Sequence, residues 1–102
     1  MQPTFAQAQI VRGSSLSLEE AVMELLPPTG SVEVQRDTPG REHPTHTHPT
    51  DETLLIIKGQ ITFTVGDRSE QCGPGDRLLL PKGTLHSSVA GPEGCLYIIA
   101  LH

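Results

Sequence analysis

The chain has 102 residues and a formal net charge of −5, with ten glycines, nine prolines and two cysteines. This length is enough for one domain, and a domain this small buries a limited core, which a bound metal, a partner subunit or both could supplement. The seven Lys and Arg residues are scattered, which argues against nucleic acid as a partner. The N-terminus lacks a basic region followed by an apolar core, and no apolar run is long enough to span a membrane.

The two cysteines, Cys72 and Cys95, are typical of a reduced protein rather than of a disulfide-stabilised secreted one. We therefore predict a cytoplasmic location. Free cysteine is more often a small buried hydrophobic residue than a metal ligand, and we interpret both cysteines in that way.

The first thirty residues predict a strand and a short helix that pack on the rest of the domain. Residues 7–12 favour a strand. Ser17 and Glu20 form a capping box at a helix start, and Pro27 ends the helix. Apolar residues recur at helical spacing between them, namely Leu18, Ala21, Val22 and Leu25. We interpret the helix as amphipathic and packed, with a partner-binding helix as the alternative.

From residue 31 to residue 102 the apolar period changes to two, which predicts strands. The predicted strands are 31–37, 52–58, 60–65, 69–72, 77–80, 84–90 and 95–101. Gly and Pro turns separate them, and many short strands punctuated in this way favour an antiparallel sandwich or barrel. The strand 52–58 is apolar on both faces, so its outer face needs the N-terminal helix or a second subunit. This is our reason to predict a homodimer.

Two stretches carry the candidate metal ligands. His46, His48 and Glu52 follow one another at intervals of two and four residues, and residues of equal parity in an extended chain point to the same side. His86 follows the turn Pro81-Lys-Gly83. Three imidazoles and a carboxylate brought together repel or lack partners unless a cation neutralises them. We predict that these four residues hold one divalent transition metal, since imidazole suits Zn, Cu, Fe and Ni while carboxylate extends the range to Mn.

The other two histidines are predicted to have different roles. His43 has odd parity and precedes the ligands in what we interpret as a loop, so a position at the mouth of the site or in solvent is expected. His102, the terminal residue, is expected to have no role.

The predicted pocket is apolar and contains few titratable groups beyond the ligands. Leu54, Ile56 and Phe63 are its expected apolar lining. Tyr97 is a candidate acid or base, although a packed ring with its hydroxyl at the rim is the alternative. The remaining polar candidates are Glu33, Gln35, Gln60, Thr62 and Ser88. A pocket with so few titratable groups indicates chemistry performed by the metal itself.

Both stretches resemble the two signature motifs of the cupin superfamily. The matched patterns are Gly40-x5-His46-x-His48-x3-Glu52-x6-Gly59 and Gly75-x5-Pro81-x-Gly83-x2-His86, which agree at all nine positions. Ala90 stands where the family usually has Asn, a residue that is not a ligand there. The resemblance implies an all-β protein, a single antiparallel jelly-roll β-barrel (double-stranded β-helix) with one short N-terminal helix.

The resemblance and the ligand set leave two functions open. Four protein ligands leave one or two open positions on an octahedral ion, which suits an enzyme. Small cupins of this kind act as dioxygenases, isomerases or lyases, and the expected ion is then Fe, Mn or Ni, with Zn or Cu as a structural occupant. The substrate would be a small chelating anionic or carbonyl compound. The alternative is a non-catalytic module that binds or senses a small ligand through the metal.

Overall fold

The structure is a computed structural model that describes residues 7–101. His102 and residues 1–6 lie outside the described part, so the expectation for His102 stays a prediction. The elements are β1 Gln9–Val11, α1 Leu18–Leu25, β2 Ser31–Asp37, β3 Glu42–His46, β4 Glu52–Val65, β5 Arg68–Cys72, β6 Arg77–Leu80 and β7 His86–Leu101. The prediction of an all-β chain with one short helix is confirmed.

Two strands are longer than the sequence predicted. The turns expected at Gly59 and at residues 91–94 do not end strands, because β4 and β7 run through them as single strands. Gly59 and Gly94 have φ values of 80° and 79°, and the β4–β7 register shifts on either side of Lys58 and Gly59. These glycines bend paired strands instead of closing hairpins.

The bends divide the sheet into two layers, which gives the jelly roll. The first half of β4 pairs with β6 and with the last residues of β7, whereas its second half pairs with β5 and with the first residues of β7. The strand order along the main path is β1-β6-β4-β7-β2, with β3 added on β7 and β5 added on β4. The strand pairs are antiparallel.

Apolar side chains form one cluster between the layers and a second one outside them. The inner cluster contains Leu54, Ile56, Ile61, Phe63, Cys72, Leu78, Leu80, Ala90, Cys95 and Tyr97. The outer cluster contains Ala21, Leu25, Leu55, Ile57, Ile98 and Ala100. Helix α1 therefore covers the outer face of β4 and β7. The sequence predicted that this face is covered either by the helix or by a second subunit, and the structure shows the helix there.

The capping box of α1 is present as predicted. The backbone amide of Glu20 donates to the Ser17 hydroxyl at 3.1 Å, and the Ser17 amide donates to the Glu20 carboxylate at 3.0 Å. Hydrogen bonds from the backbone and the side chain of Ser17 to the Glu20 carboxylate lower the pKa of Glu20. Among residues 7–101, no helix has the length and apolar character that crossing a membrane requires.

Candidate metal centre

The structure brings three histidines together at one end of the barrel. His46 ends β3, His48 follows two residues later, and His86 begins β7 opposite His46 in the sheet. One ring nitrogen of each histidine lies within 4.8 Å of the corresponding atoms of the other two. The ring centroids of His46 and His86 are 4.3 Å apart. Two strands remote in sequence thus meet at the predicted site.

Hydrogen bonds to the backbone fix which nitrogens of the cluster are free. Nδ1 of His46 lies 2.7 Å from the carbonyl oxygen of Pro44, and Nδ1 of His86 lies 2.9 Å from that of Thr84. A carbonyl oxygen only accepts, so each Nδ1 carries the hydrogen of a neutral ring. The Nε2 atoms of both rings are therefore bare acceptors, which is the form that binds a metal.

Glu52, the fourth predicted ligand, contacts one of the histidines rather than joining the group of converging atoms. Its side chain is 4% exposed, and its Oε2 atom lies 3.0 Å from Nδ1 of His48. The other nitrogen of His48, Nε2, lies 3.0 Å from Nε2 of His46. Glu52 is thus placed to orient His48, as carboxylates commonly do for metal-binding histidines. Direct ligation by Glu52 stays a prediction.

Burial favours the neutral forms of the titratable side chains in this centre. It raises the pKa of Glu52 to about 7, with the negative charge of Glu33 adding to the effect. Burial lowers the pKa of His48, and the neighbouring His46 lowers it further, whereas Glu33 opposes this. Burial also lowers the pKa of His86. In the protein without metal, the 3.0 Å contact between Glu52 and His48 therefore joins two groups whose charged forms are disfavoured.

The donor set fits a divalent transition metal. Nε2 atoms bound at about 2.1 Å and at right angles to each other are about 3.0 Å apart, which matches the His46–His48 spacing. The Nε2 atoms of His46 and His86 are both bare acceptors, so both can bind the same ion. His46, His48 and His86 would hold the ion, with Glu52 beside them.

A cavity of about 340 Å³ is lined mainly by residues of β1, β4, β5 and β6, and none of the three clustered histidines is among its lining residues. Ile10, Phe63, Val65 and Leu78 form its apolar part, and Gln7, Ala8, Gln9, Arg68 and Glu70 complete the lining. Thr64 pairs with Ser87, so the cavity-lining residue Val65 lies on the strand next to His86. Of the three predicted pocket residues, Phe63 lines this cavity, while Leu54 and Ile56 are packed in the inner cluster.

Tyr97 and His43 both contact Asp37, and the Tyr97 ring is packed in the inner cluster, which was the alternative expected for it. The Tyr97 hydroxyl is buried, not at the rim, and donates to Oδ2 of Asp37 at 3.0 Å. Burial and the Asp37 carboxylate raise the pKa of Tyr97. His43 belongs to β3 rather than to a loop, and its Nε2 lies 3.0 Å from both Asp37 oxygens.

A β-bulge explains why parity misplaced His43. His43 pairs with Ser88 and His46 pairs with His86, so three steps along β3 match two steps along β7. The extra residue returns the odd-numbered His43 to the face of His46. Sequence reasoning overlooked Asp37, and the only available signal was a charged residue at the end of an alternating strand.

The remaining candidates lie at varied distances from the centre. Glu33 is exposed but close enough for its charge to act on Glu52 and His48. Gln60 accepts a hydrogen bond from Gln71 at the surface. Both cysteines are buried free thiols in the inner cluster, and burial raises the pKa of Cys72 to about 11 and that of Cys95 to about 12. They lie outside the histidine group, in line with their interpretation as hydrophobic residues.

Comparison with known proteins identifies the family. The Cupin domain model matches residues 33–99, more than half of the chain, so the chain belongs to the cupin family. Comparison with curated proteins gives no match.

Solved structures share the fold at low sequence identity. A cupin-2 domain containing protein from Shewanella frigidimarina is 22% identical, with a TM-score of 0.63 over 74% of each chain. The DMSP lyase DddQ from Ruegeria pomeroyi is 23% identical, with a TM-score of 0.65 over 74% of this chain and 40% of that one. The polyketide cyclase RemF from Streptomyces resistomycificus is 25% identical, with a TM-score of 0.62 over 70% of this chain and 53% of that one.

Proposed function

We propose that this cupin is a metal-dependent enzyme of the dioxygenase, isomerase or lyase type that acts on a small chelating anionic or carbonyl compound. The observation that carries the proposal is the convergence of His46, His48 and His86, two of which have their Nε2 atoms bare because Nδ1 donates to a carbonyl oxygen. Three imidazoles and at most one carboxylate leave an octahedral ion with open positions.

The cavity lined by Phe63, Val65 and Leu78 would suit a small substrate with an apolar part, and Val65 lies on the strand next to His86. Its volume of about 340 Å³ is at the lower end of the range for small-molecule sites. Arg68 is among its lining residues with a side chain that is 75% exposed, and its guanidinium forms an ion pair at 3.5 Å with Glu70, which also lines the cavity. An anionic group of a substrate would have to compete with Glu70 for this guanidinium. Phe63 and Leu78 provide the buried apolar wall.

The proposed cofactor is one divalent transition metal, with Fe, Mn or Ni expected in an enzyme and Zn or Cu in a structural role. When bound, such an ion supplies Lewis-acid or oxygen chemistry at its open positions. The chain's own residues hold and orient it, since Glu52 contacts the far nitrogen of His48. The alternative function is non-catalytic binding or sensing of a small ligand at the same centre.

The named activities of two structural neighbours agree with small-molecule chemistry on this fold. One neighbour is a DMSP lyase and the other is a polyketide cyclase. The identities are low, and one fold serves many functions, so these names support the class of chemistry and not a substrate.

The test begins with metal analysis of protein purified without added metal. Protein loaded with each candidate ion is then incubated with small diketones, flavonols, hydroxy acids and thiols, while an oxygen electrode and proton NMR follow oxygen uptake and product formation. We expect turnover that a chelator abolishes and that His86→Ala lacks. Turnover that survives removal of the metal would contradict the proposal, and saturable metal-dependent binding without turnover would favour the binding module.

We further propose a homodimer in the cytoplasm, with no nucleic acid or membrane partner. Val34 on the outer face of β2 is 52% exposed, and Leu26 beyond the end of α1 is 52% exposed. Apolar residues next to the covered part of that face support a contact with a second copy. The two free thiols support a reducing compartment.

A further inference from the structure

Asp37 is a buried carboxylate outside the histidine cluster. It ends β2 and is 1% exposed. Its Oδ1 and Oδ2 atoms both lie 3.0 Å from Nε2 of His43, and Oδ2 also accepts from the Tyr97 hydroxyl at 3.0 Å. A buried charge costs stability, and well-packed apolar residues would serve a purely structural role at least as well. The arrangement therefore points to a task for the imidazole that Asp37 holds.

Asp37 determines which nitrogen of His43 is free. An ionised carboxylate only accepts hydrogen bonds, so Nε2 carries the hydrogen of the neutral ring and Nδ1 is left as a bare acceptor. Within residues 7–101, Nδ1 of His43 forms no hydrogen bond. The side chain is 22% exposed, so the ring also has access to water.

The bulge in β3 places His43 beside the metal centre. His43 is paired with Ser88, which is two residues from His86 on β7. Two residues of a strand span about 7 Å, and residues two apart share a face. The free nitrogen of His43 and the nitrogens of the cluster therefore belong to the same interior surface. A small molecule held at the cluster would reach His43 with an atom a few bonds away.

We propose that His43 transfers a proton to and from a ligand held at the His46, His48 and His86 cluster, with Asp37 and Tyr97 as positioning residues. This inference rests on the proposed function and narrows the substrate to a C–H or O–H acid. The ligand's C–H or O–H bond breaks, its electron pair stays on the ligand, and the proton forms an N–H bond at Nδ1 of His43. The Asp37 carboxylate faces the protonated ring at Nε2, and the proton then leaves from Nδ1 to water.

The first measurement needs neither metal nor substrate. Long-range ¹H–¹⁵N spectra of histidine-labelled protein in mildly alkaline buffer report the tautomer of each ring. We expect His43 with hydrogen on Nε2 in the wild type and in Tyr97→Phe, and a mixture of tautomers in Asp37→Asn. A wild-type ring with hydrogen on Nδ1 would overturn the proposal, and this result does not depend on whether any variant folds.

The second measurement uses acetylacetone, a C–H acid that chelates divalent ions, as the probe. Proton NMR in D₂O follows deuterium exchange at its central carbon in the presence of nickel-loaded protein. We expect His43→Gln to slow the protein-dependent exchange by about 100-fold or more, with metal content unchanged. His102→Gln is the matched histidine control and should exchange like the wild type.

The outcomes separate this inference from the function on which it rests. If the wild type accelerates exchange and His43→Gln does so equally, the role of His43 is refuted while the metal-dependent function stands. If nickel-loaded wild type accelerates deuterium exchange into acetylacetone no more than the same amount of free nickel does, the role of His43 and the metal-dependent function are both refuted for carbonyl acids.

Discussion

The Oε2 atom of Glu52 lies 3.0 Å from Nδ1 of His48, while Nε2 of the same ring lies 3.0 Å from Nε2 of His46. Nε2 of His46 is a bare acceptor because its Nδ1 donates to Pro44. In the metal-free protein, a protonated Glu52 can donate to Nδ1 of His48, and Nε2 of His48 can then donate to Nε2 of His46. Every polar group in this series of contacts then has a hydrogen-bond partner. A cation at the Nε2 atoms requires the opposite tautomer of His48, with its Nδ1 hydrogen donated to an ionised Glu52.

This chain of contacts predicts that metal binding releases a proton. Below about pH 7, the value to which burial raises the pKa of Glu52, about one proton should leave per ion bound. Burial lowers the pKa of His48 and that of His86, so these rings contribute less to proton release than ordinary histidines would. The apparent affinity should then rise about tenfold per pH unit and level off above about pH 7. Calorimetry in buffers of different ionisation enthalpy measures both quantities.

Glu52→Gln is the control for proton release. The side-chain amide can donate to Nδ1 of His48 in the metal-free state and accept from it in the metal-bound state, but it has no carboxyl proton. Proton release on metal binding should therefore fall to near zero, and the pH dependence of the metal affinity should flatten. If Glu52 only orients His48, affinity at alkaline pH should drop by about 10–100-fold. Unchanged proton release in Glu52→Gln would show that the proton comes from another group.

Removal of one histidine of the cluster should abolish tight metal binding. His46→Ala and His86→Ala should each lower the affinity by more than about 100-fold, the upper limit for loss of a residue that only supports a ligand. The metal-induced rise in thermal midpoint should disappear with it, since an ion that binds only the folded state stabilises that state. Metal analysis and thermal unfolding with and without ion measure this.

Thr47→Ala is the matched control for the histidine variants, because Thr47 is exposed and lies between His46 and His48. It should keep the metal and the metal-induced stabilisation. Full metal content in His46→Ala or His86→Ala would refute the assignment of the site.

Two glycines of the first motif should differ in their tolerance of alanine. Gly40 and Gly59 both have positive φ, 73° and 80°, so both variants pay about 1–2 kcal/mol of backbone strain. A Cβ atom at Gly40 meets nothing within 4 Å, whereas one at Gly59 would overlap the carbonyl oxygen of Gly94 across the bend of β4 and β7. Gly59→Ala should therefore cost at least about 3 kcal/mol in total. Urea unfolding of metal-free protein measures the difference, and equal costs would contradict the close approach.

The proposed dimer predicts a specific effect of charge at Val34. Val34→Asp should convert the protein to a monomer, since a carboxylate in an apolar contact is costly. Val11→Asp is the matched control, because Val11 is 44% exposed and β1 lies at the opposite end of the strand order from β2. Light scattering measures the mass of each variant. A wild-type monomer, or equal dissociation by both substitutions, would refute this contact.

Local sequence patterns predicted several elements closely. The capping box at Ser17 placed the start of α1, and period-two alternation gave the bounds of β2. Four apolar or long side chains between turns gave the bounds of β6. These features depend on residues within a few positions of one another, so propensity and periodicity suffice to define them. The spacing of His46 and His48 is likewise a local feature that the sequence alone defines.

The sequence by itself determined the family motifs, the three histidines and the all-β class. Only the tertiary structure decided that β4 and β7 continue through Gly59 and Gly94, that a bulge turns His43 inward, and that Asp37 joins His43 to Tyr97. Strand pairing across long sequence separations sets the register, and one extra residue in one strand reverses the face of everything before it. Side-chain parity read along a single strand contains no information about that extra residue, because it is defined only relative to the partner strand.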